Sequence, residues 1–521
     1  MIETVEPASR RFGIGEPAGR RFHQYRLPSI AMEHHPVDRR RFFQATAGAA
    51  AAIGLSATSY ASVVGSNGRV QIGFLGCGGR AQAHINLLVK MALDNRSVTP
   101  VAVCDVWDGL EEEYDHSHGG TTSRRQYAQG LYPSAKKCGL NPGDRKRVVK
   151  DYRKLLELKD VDAVCITTPD HWHARMTLDA FAAGKDVYVE KPMTRTPAEA
   201  LAVSDAAKSH NRVLTVGMQT LADPVWQAAH DKIQSGRIGH VSHLQAGVFR
   251  NDIRGQWRYY RLAPQMNPKT VDWDLFLGHR FEVNGDKLGP TPQEMPFDRA
   301  AFAQWRCYRP FGGGPVTDML SHPLARMLVS SGLRYPTRVT AGGGLFVEQD
   351  GRTVPDLTTL IADFEEGAQL VLSAVTTSAY PQEDVIRGRH GAIKFLKGGF
   401  QIHHDDPRGG AGLPARLETT IRPAEFVPVN SPKNDTEALW ENFLDCVRRR
   451  DANTLAPPEL GTATVAITSM ALRSLNEGRA FGWDPQRREM APADAAWLAK
   501  HSPRARPGQT DAPDYQKLAD G

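Results

Sequence analysis

Three side chains in this sequence have the types and spacing that proton chemistry requires: Lys191, Asp318 and His322. Lys191 lies in the tripeptide Glu190-Lys191-Pro192, and the proline ring forces an extended or turn geometry on the residue before it. Asp318 and His322 are four residues apart, which places them on one face of a predicted helix. A histidine titrates near neutral pH and needs no tuning to take a proton from a hydroxyl group, while a lysine can polarise the oxygen.

The elements around Lys191 predict a parallel sheet. The run AVCIT before Thr168 and the run DVYVE before Lys191 are short, apolar and β-branched, as buried strands are. Between them, residues 174–183 form an Ala-rich predicted helix that Gly184 ends. Open α/β sheets bind their ligands at the carboxyl ends of parallel strands, so we expect Lys191 at the ligand edge of this sheet.

A glycine motif precedes these elements and predicts a bound dinucleotide. The strand NGRVQIGFL leads into a G-x-G-x-x-A turn that opens a helix, where a pyrophosphate meets helix N–H groups and a positive dipole end. The next strand, VTPVAVCD, ends in an acid that can accept hydrogen bonds from the adenosine ribose and repels a 2′-phosphate. NAD is therefore favoured over NADP, with the predicted contacts Gly76, Gly78, Gly79, Arg80, Ala81 and Asp105.

Composition excludes several classes of protein. The hydrophobic content of 41% and charged content of 23% are typical of a soluble globular protein. The net charge is +6, but no stripe of Lys and Arg interleaved with aromatic residues is present, which argues against a nucleic-acid partner. The six cysteines show no C-x-x-C or Cys/His ligand spacing, so we predict no metal site. His116 and His118 are interpreted as solvated residues of a Gly-rich loop.

At 521 residues the chain is too long for one ordinary core. Residues 67–220 alternate strands and helices, which predicts a doubly wound α/β Rossmann domain. Residues 221–432 contain short strands with turn signals and no helices between them, typical of an open, mostly antiparallel α+β sheet domain. Helices are predicted within residues 433–490, and residues 491–521 are a Pro-, Ala- and charge-rich tail interpreted as loosely ordered.

The first 66 residues are interpreted as an extension, a signal peptide and a linker. Arg39-Arg40-Arg41-Phe42-Phe43 precedes an Ala/Gly-rich stretch, and small residues at Ser59-Tyr60-Ala61 offer a cleavage point. The apolar run is too weak and too interrupted for a stable membrane span. We therefore expect export to the periplasm by the twin-arginine pathway, and we expect translation to begin at Met32.

The glycine turn, the PDHWH sequence at residues 169–173 and Glu190-Lys191-Pro192 together resemble the Gfo/Idh/MocA family of oxidoreductases. The resemblance runs from about Val70 to about Pro485 and is strongest to the exported branch with twin-arginine signals. It implies that one face of the second-domain sheet covers the nicotinamide. It also implies that the other face joins subunits of a homo-oligomer, a dimer or a tetramer, and that the C-terminal helices pack on the first domain.

The resemblance also implies roles for individual residues. Asp318 and His322 would lie over the nicotinamide opposite Lys191, with His322 moving the proton, Lys191 contacting the oxygen and Asp318 orienting both. The family usually has a further Asp three residues after the His, where this chain has Ala325. The cofactor contacts extend to Thr168, Pro169, His173, Glu190, Lys191 and Gln219, and the substrate contacts are Trp172, Arg306 and Tyr308.

Three functions fit these residues. The first is an NAD(P)-dependent dehydrogenase or reductase acting on a secondary hydroxyl of a sugar or polyol. The second is a redox-neutral glycosidase or lyase in which tightly bound NAD oxidises the sugar transiently and is then regenerated. An exported enzyme meets no free NAD pool, which favours a captive cofactor. The third is a sugar-binding protein without catalysis, which the presence of Lys191, Asp318 and His322 argues against.

Overall fold

The computed structural model describes residues 68–118, 121–279, 293–405 and 424–501. The predicted extension, twin-arginine signal and linker fall almost entirely on residues 1–67, which lie outside the described residues. Within the described ranges, none of the helices combines the length and the hydrophobicity that a membrane crossing requires.

The first domain is built on a six-stranded parallel sheet. Its elements in chain order are β1 (Val70–Leu75), α1 (Gly79–Leu93), β2 (Val98–Cys104), β3 (Leu110–His118), β4 (Thr121–Gln129), α2 (Leu131–Lys137), β5 (Val148–Val149), α3 (Tyr152–Leu156), β6 (Ala163–Ile166), α4 (Asp170–Ala182), β7 (Asp186–Glu190), α5 (Pro197–Ser209) and β8 (Leu214–Gly217). The spatial order of the sheet is β5-β2-β1-β6-β7-β8. This order reverses direction between β1 and β6, which is where open α/β sheets bind nucleotides.

Local sequence explains how these elements are placed. Every residue of β6 and β7 is buried, as expected for strands covered by helices on both faces. Helix α5 begins with the predicted capping box, in which Thr196 and Glu199 each satisfy the other's backbone N–H. Gly184, with a φ of +76°, follows α4 and lets the chain turn into β7. The strand that carries Glu190 therefore ends beside the strand-order reversal.

Strands β3 and β4 form a separate antiparallel hairpin. The predicted Gly-rich loop around His116 and His118 is wrong, because both residues belong to β3. Charged side chains pair across the hairpin, as in the 2.7 Å contact of Arg124 Nε with Glu113 Oε2. Such pairs stabilise neighbouring strands without the apolar alternation that marks a strand in sequence.

The second domain contains a mixed sheet of eleven strands. Its elements are α6 (Val225–Gln234), β9 (Val241–Asn251), α7 (Trp273–Leu277), α8 (Arg299–Ala303), α9 (Pro315–Asp318), α10 (Ser321–Ser331), β10 (Arg338–Gly344), β11 (Leu357–Asp363), β12 (Gln369–Val375), β13 (Thr377–Ser378), β14 (Val385–Gly388), β15 (Gly391–Leu396), β16 (Gly399–His404) and β17 (Glu425–Pro428). Only β9 and β12 pair in parallel among the described strands of this sheet. The predicted fold class, a Rossmann domain followed by a mostly antiparallel sheet, is confirmed.

The predicted helix carrying Asp318 and His322 is interrupted. Helix α9 ends at Asp318 and α10 begins at Ser321, so the two side chains lie on consecutive short helices. Pro323 explains the break, because it has no N–H to donate to the carbonyl four residues earlier. At the junction the Leu320 N–H donates to Pro315 O, one residue further back than in a regular helix.

The chain then returns to the first domain. Helices α11 (Asp435–Arg449) and α12 (Pro458–Glu477) are followed by β18 (Phe481–Asp484), β19 (Glu489–Pro492) and α13 (Ala495–His501). Trp440 of α11 is fully buried and stacks on Tyr188 of β7 with ring centroids 4.3 Å apart. The predicted tail from residue 491 differs from the structure as far as residue 501, because β19 and α13 cover part of it. Trp497 anchors α13 by donating from Nε1 to Thr337 O at 2.8 Å.

Candidate active site

The glycine turn between β1 and α1 leaves room for a phosphate. Gly76 has a φ of +85°, and a Cβ there would lie 2.9 Å from the backbone nitrogen of Thr168. A Cβ on Gly78 would meet none of the described atoms within 4 Å, so this position is open. Gly78 also caps α1 without a side-chain hydrogen bond, which leaves N–H donors of the first turn available. The turn has the shape and the donors that a pyrophosphate requires.

A cavity of about 730 Å³ opens at this turn, and both domains line it. The predicted site residues among its walls are Gly76, Gly78, Gly79, Arg80, Asp105, Thr168, Pro169, Trp172 and Arg306. The hydroxyl of Thr168 is buried and has no partner among the described residues. An open glycine, available helix N–H groups and an unpaired hydroxyl fit the phosphates and hydroxyls of a dinucleotide. The residues present therefore fit NAD.

Asp105 lies at the predicted position, at the end of β2. Its Oδ2 accepts the Cys77 N–H at 2.6 Å and its Oδ1 accepts the Trp107 N–H at 2.8 Å, so the carboxylate is fixed in the turn. Burial raises the pKa of Asp105 to about 6, although these two N–H groups and Lys150 oppose the rise. One carboxylate therefore changes charge just below neutral pH beside the place expected for the ribose.

The affinity for NAD is expected to depend on pH through Asp105. Ribose hydroxyls donate hydrogen bonds to the ionised carboxylate, so protonation removes the better acceptor. With a pKa of about 6, lowering the pH from 7 to 5 should weaken NAD binding by up to about tenfold. Titration of intrinsic fluorescence with NAD at several pH values measures this. An Asp105→Asn variant should bind more weakly at pH 7 and show no step; an equal step in the variant would assign the titration elsewhere.

Lys191 and Asp318 meet across the two domains. Lys191 donates from Nζ to the Asp318 carbonyl at 2.6 Å and to Asp318 Oδ1 at 2.8 Å. Arg306 donates from Nε to the same Oδ1 at 3.1 Å. Burial alone would raise the pKa of Asp318, but Lys191 and Arg306 outweigh it and hold the pKa below its usual value. The carboxylate therefore stays ionised and orients two cations at once.

His322 does not have the ordinary pKa that the sequence suggested. Burial lowers the pKa of His322 to about 3, and the charge of Lys191 lowers it further. Its Nδ1 is buried and has no hydrogen-bond partner in the described part of the chain. The imidazole is therefore neutral at any working pH. It keeps a lone pair for a proton, and the proton it accepts is returned readily.

Glu190 and Gln219, both predicted to contact the cofactor, lie in a buried network behind the end of β7. Glu190 Oε1 accepts from Arg80 Nε at 2.7 Å, from His84 Nε2 at 2.9 Å and from Gln219 Nε2 at 2.7 Å. Trp440 donates to His84 Nδ1 at 2.8 Å, so the His84 proton is on Nε2. Burial would raise the pKa of Glu190, but Arg80 and His84 hold it well below its usual value. This network fixes Arg80 at the cavity wall.

Three other predicted residues occupy different positions. His173 is 1% exposed, and its ring nitrogens lie 2.7 Å from Pro192 O and 3.0 Å from Thr168 O, so it joins two loops. Trp172 lines the cavity and donates from Nε1 to Phe276 O at 2.9 Å. The Tyr308 hydroxyl accepts from Arg258 at 3.1 Å, and Tyr308 is not among the cavity-lining residues.

Sequence reasoning missed His84, Trp440 and the aromatic pair Tyr259 and Tyr260, which lines the cavity. It also missed Asp170, the second residue of PDHWH, which is 3% exposed. Burial raises the pKa of Asp170 to about 7, and the charge of Asp318 raises it further. The position of Asp170 in the motif was a usable signal. No local signal joins His84 to a tryptophan that lies 356 residues away.

Comparisons with known proteins agree with this geometry. The family model described as "Oxidoreductase family, NAD-binding Rossmann fold" matches residues 70–218, and the "GFO/IDH/MocA C-terminal domain" matches residues 276–394. A "Glycosyl hydrolase family 109 protein" of Shewanella baltica is 24% identical over 405 residues, covering 71% of this chain and 78% of the relative. An "Alpha-N-acetylgalactosaminidase" of Shewanella oneidensis is 22% identical over 343 residues, covering 64% of this chain and 65% of the relative.

A solved structure shares the fold. The WlbA dehydrogenase from Bordetella pertussis, in complex with NADH and UDP-GlcNAcA, superposes with a TM-score of 0.53 and 17% identity. The superposition covers 80% of this chain and 99% of that chain, so both domains are shared. With its NAD-binding domain and its C-terminal domain both matched in sequence, this chain belongs to the Gfo/Idh/MocA family.

Proposed function

We propose that this protein oxidises a secondary hydroxyl group of a sugar or related polyol, with NAD as its cofactor. One observation carries the proposal. Arg306, which lines the cavity that begins at the glycine turn, shares Oδ1 of Asp318 with Lys191. A cation able to polarise an oxygen is thereby held beside the space where a dinucleotide and a small substrate meet.

The residues divide the chemistry between them. When bound, NAD would supply the acceptor for the hydride that leaves the hydroxyl-bearing carbon. His322, neutral in its buried position, takes the hydroxyl proton. Lys191, oriented by two hydrogen bonds to Asp318, donates to the oxygen as it becomes a carbonyl. Asp318 remains ionised because Lys191 and Arg306 hold its pKa low. NAD is proposed over NADP because Asp105 would face the 2′-position of the ribose.

The printed names of the curated relatives favour a second candidate, an NAD-dependent glycosidase without net redox change. Its first step is the same oxidation. The new carbonyl acidifies the neighbouring C–H, loss of that proton expels the glycosidic oxygen, water adds, and a hydride returns to the carbonyl carbon. The same three residues serve this sequence, so the two candidates differ only in where the hydride ends.

One experiment separates them. The purified full-length protein is denatured, and the released nucleotide is identified and counted. The native protein is then incubated in D₂O with free sugars and with aryl glycosides. Stoichiometric NAD(H), aryl release without NADH and deuterium next to the oxidised carbon would support the glycosidase. An empty site that accepts NAD and yields NADH from a free sugar would support the dehydrogenase. Sugar binding without either reaction contradicts both candidates and indicates a binding protein.

We also propose that the Arg39-Arg40-Arg41 segment directs export to the periplasm. Retention in the cytoplasm after Arg40→Lys and Arg41→Lys substitution, read by fractionation, supports this; unchanged export contradicts it. We propose in addition that the protein is a homo-oligomer joined through the second-domain sheet, which light scattering of the purified protein checks.

A further inference from the structure

The substrate end of the cavity has an unusual surplus of positive charge. Five cationic side chains line the cavity, Arg80, Lys150, Arg254, Arg261 and Arg306, against a single acid, Asp105. Each of the five does have an acidic partner, but those acids are not among the lining residues. The cations therefore face the cavity, and their partners lie behind them. Arg80 and Lys150 belong to the cofactor end, near the glycine turn and Asp105.

Arg306 is the cation nearest the proposed chemistry. Its Nε and the Nζ of Lys191 lie 3.1 Å and 2.8 Å from the same Asp318 oxygen, so two positive charges share one carboxylate. The oxidised nicotinamide would add a third positive charge. A site with this excess favours an anion over a neutral ligand.

The guanidinium of Arg306 is held on every side except one. Nε is bonded to Asp318, and the guanidinium carbon lies 4.2 Å from the Trp305 ring centroid and 5.7 Å from that of Tyr260. Among the described residues, neither Nη1 nor Nη2 has a hydrogen-bond acceptor, and the side chain is 22% exposed. The hydroxyl of Tyr260 likewise has no hydrogen-bond partner there. Two parallel N–H groups on a fixed planar cation match the two oxygens of a carboxylate.

We propose, on the basis of the function proposed above, that the substrate is a sugar acid whose carboxylate is bound by Nη1 and Nη2 of Arg306. Because Arg306 and Lys191 share one oxygen, the carboxylate lies close to the hydroxyl that Lys191 contacts. Hexuronic acids and their glycosides have this chemistry. A phosphate is less suited, because it is tetrahedral and the free edge of Arg306 presents only two donors in one plane.

Equilibrium binding tests the substrate class without requiring turnover. The NAD-loaded full-length protein is titrated calorimetrically with glucuronate, galacturonate and mannuronate, each beside its parent aldose and its methyl ester. At least one hexuronate should bind roughly tenfold or more tightly than both neutral counterparts, as expected for a charge-assisted pair of hydrogen bonds. Equal affinities, no uronate binding, or a preference for the corresponding sugar phosphate would each overturn the proposal.

Two variants sharpen the test. Arg306→Lys keeps the charge but removes the paired N–H groups, so the uronate-to-aldose affinity ratio should fall to nearly one. Arg254→Lys is the matched control, because Arg254 lines the same cavity but directs its guanidinium to Asp252. Its ratio should match wild type; an equal loss in both variants would indicate general charge instead. The affinity ratio is internal to each variant, so a loss of folded protein does not imitate the result.

NADH formation in the same samples separates this inference from the proposed function. Tight uronate binding without NADH supports the substrate class and argues against a net dehydrogenase. NADH formed equally well from neutral sugars and uronates supports the dehydrogenase and overturns the substrate class.

Discussion

Replacement of Lys191 with methionine is expected to lower turnover by about three orders of magnitude, within the range for loss of a positioned proton donor. The methionine keeps most of the side-chain volume but removes both hydrogen bonds to Asp318. Asp318 remains paired with Arg306, so the local charge stays balanced and the fold should persist. Affinity for NAD should change little, because the glycine turn and Asp105 are untouched. Single-turnover kinetics and an NAD titration measure the two quantities separately.

His322→Asn should have a comparable effect on turnover, since it removes the neutral base. Lys208→Met serves as a control, because Lys208 is an exposed lysine paired with Glu459 on the protein surface. Normal turnover in both the Lys191 and the His322 variants would end the assignment of proton chemistry to this site. Loss of NAD affinity together with turnover would instead place Lys191 in cofactor binding.

Two glycines two positions apart should respond to substitution in opposite ways. Gly78→Val places a side chain in open space at a φ of −74° that any residue adopts, so melting temperature should change little. The added carbons occupy the space proposed for the pyrophosphate, and NAD affinity should fall about a hundredfold, the loss of roughly two charge-assisted hydrogen bonds.

Gly76→Ala should instead destabilise the fold. The φ of +85° and the 2.9 Å approach to the Thr168 nitrogen make even one methyl group costly, by about 1–3 kcal/mol. Thermal unfolding measures this loss in the absence of NAD. If Gly78→Val unfolds and Gly76→Ala does not, the turn is arranged differently from the structure described above.

The features that sequence reasoning found are those with short-range causes. The glycine turn and the capping box of Thr196 each depend on residues only a few positions apart. Lys191 was recognised because a strand, a helix and a proline around it are all local signals. The interruption of the helix at Pro323 was equally local, and the proline itself was the visible signal.

The remainder depends on tertiary structure. The low pKa of His322 arises from burial and from Lys191, which lies 131 positions earlier in the chain. The network around Glu190 joins β7, α1 and α11, so no window of sequence contains it. The β3–β4 hairpin escaped notice because cross-strand charge pairs replace the apolar alternation of an ordinary strand.

The stacking of Trp440 on Tyr188 has a consequence for the order in which the protein can be made. The cofactor-binding domain is discontinuous, because its buried ring stack is completed by a helix encoded more than 200 residues after its last strand. During synthesis, Tyr188 and the Glu190 network stay unfinished until α11 has left the ribosome. NAD can then bind its complete site only after nearly the whole chain exists. A machinery that transports folded proteins would suit such a chain better than one that threads it unfolded.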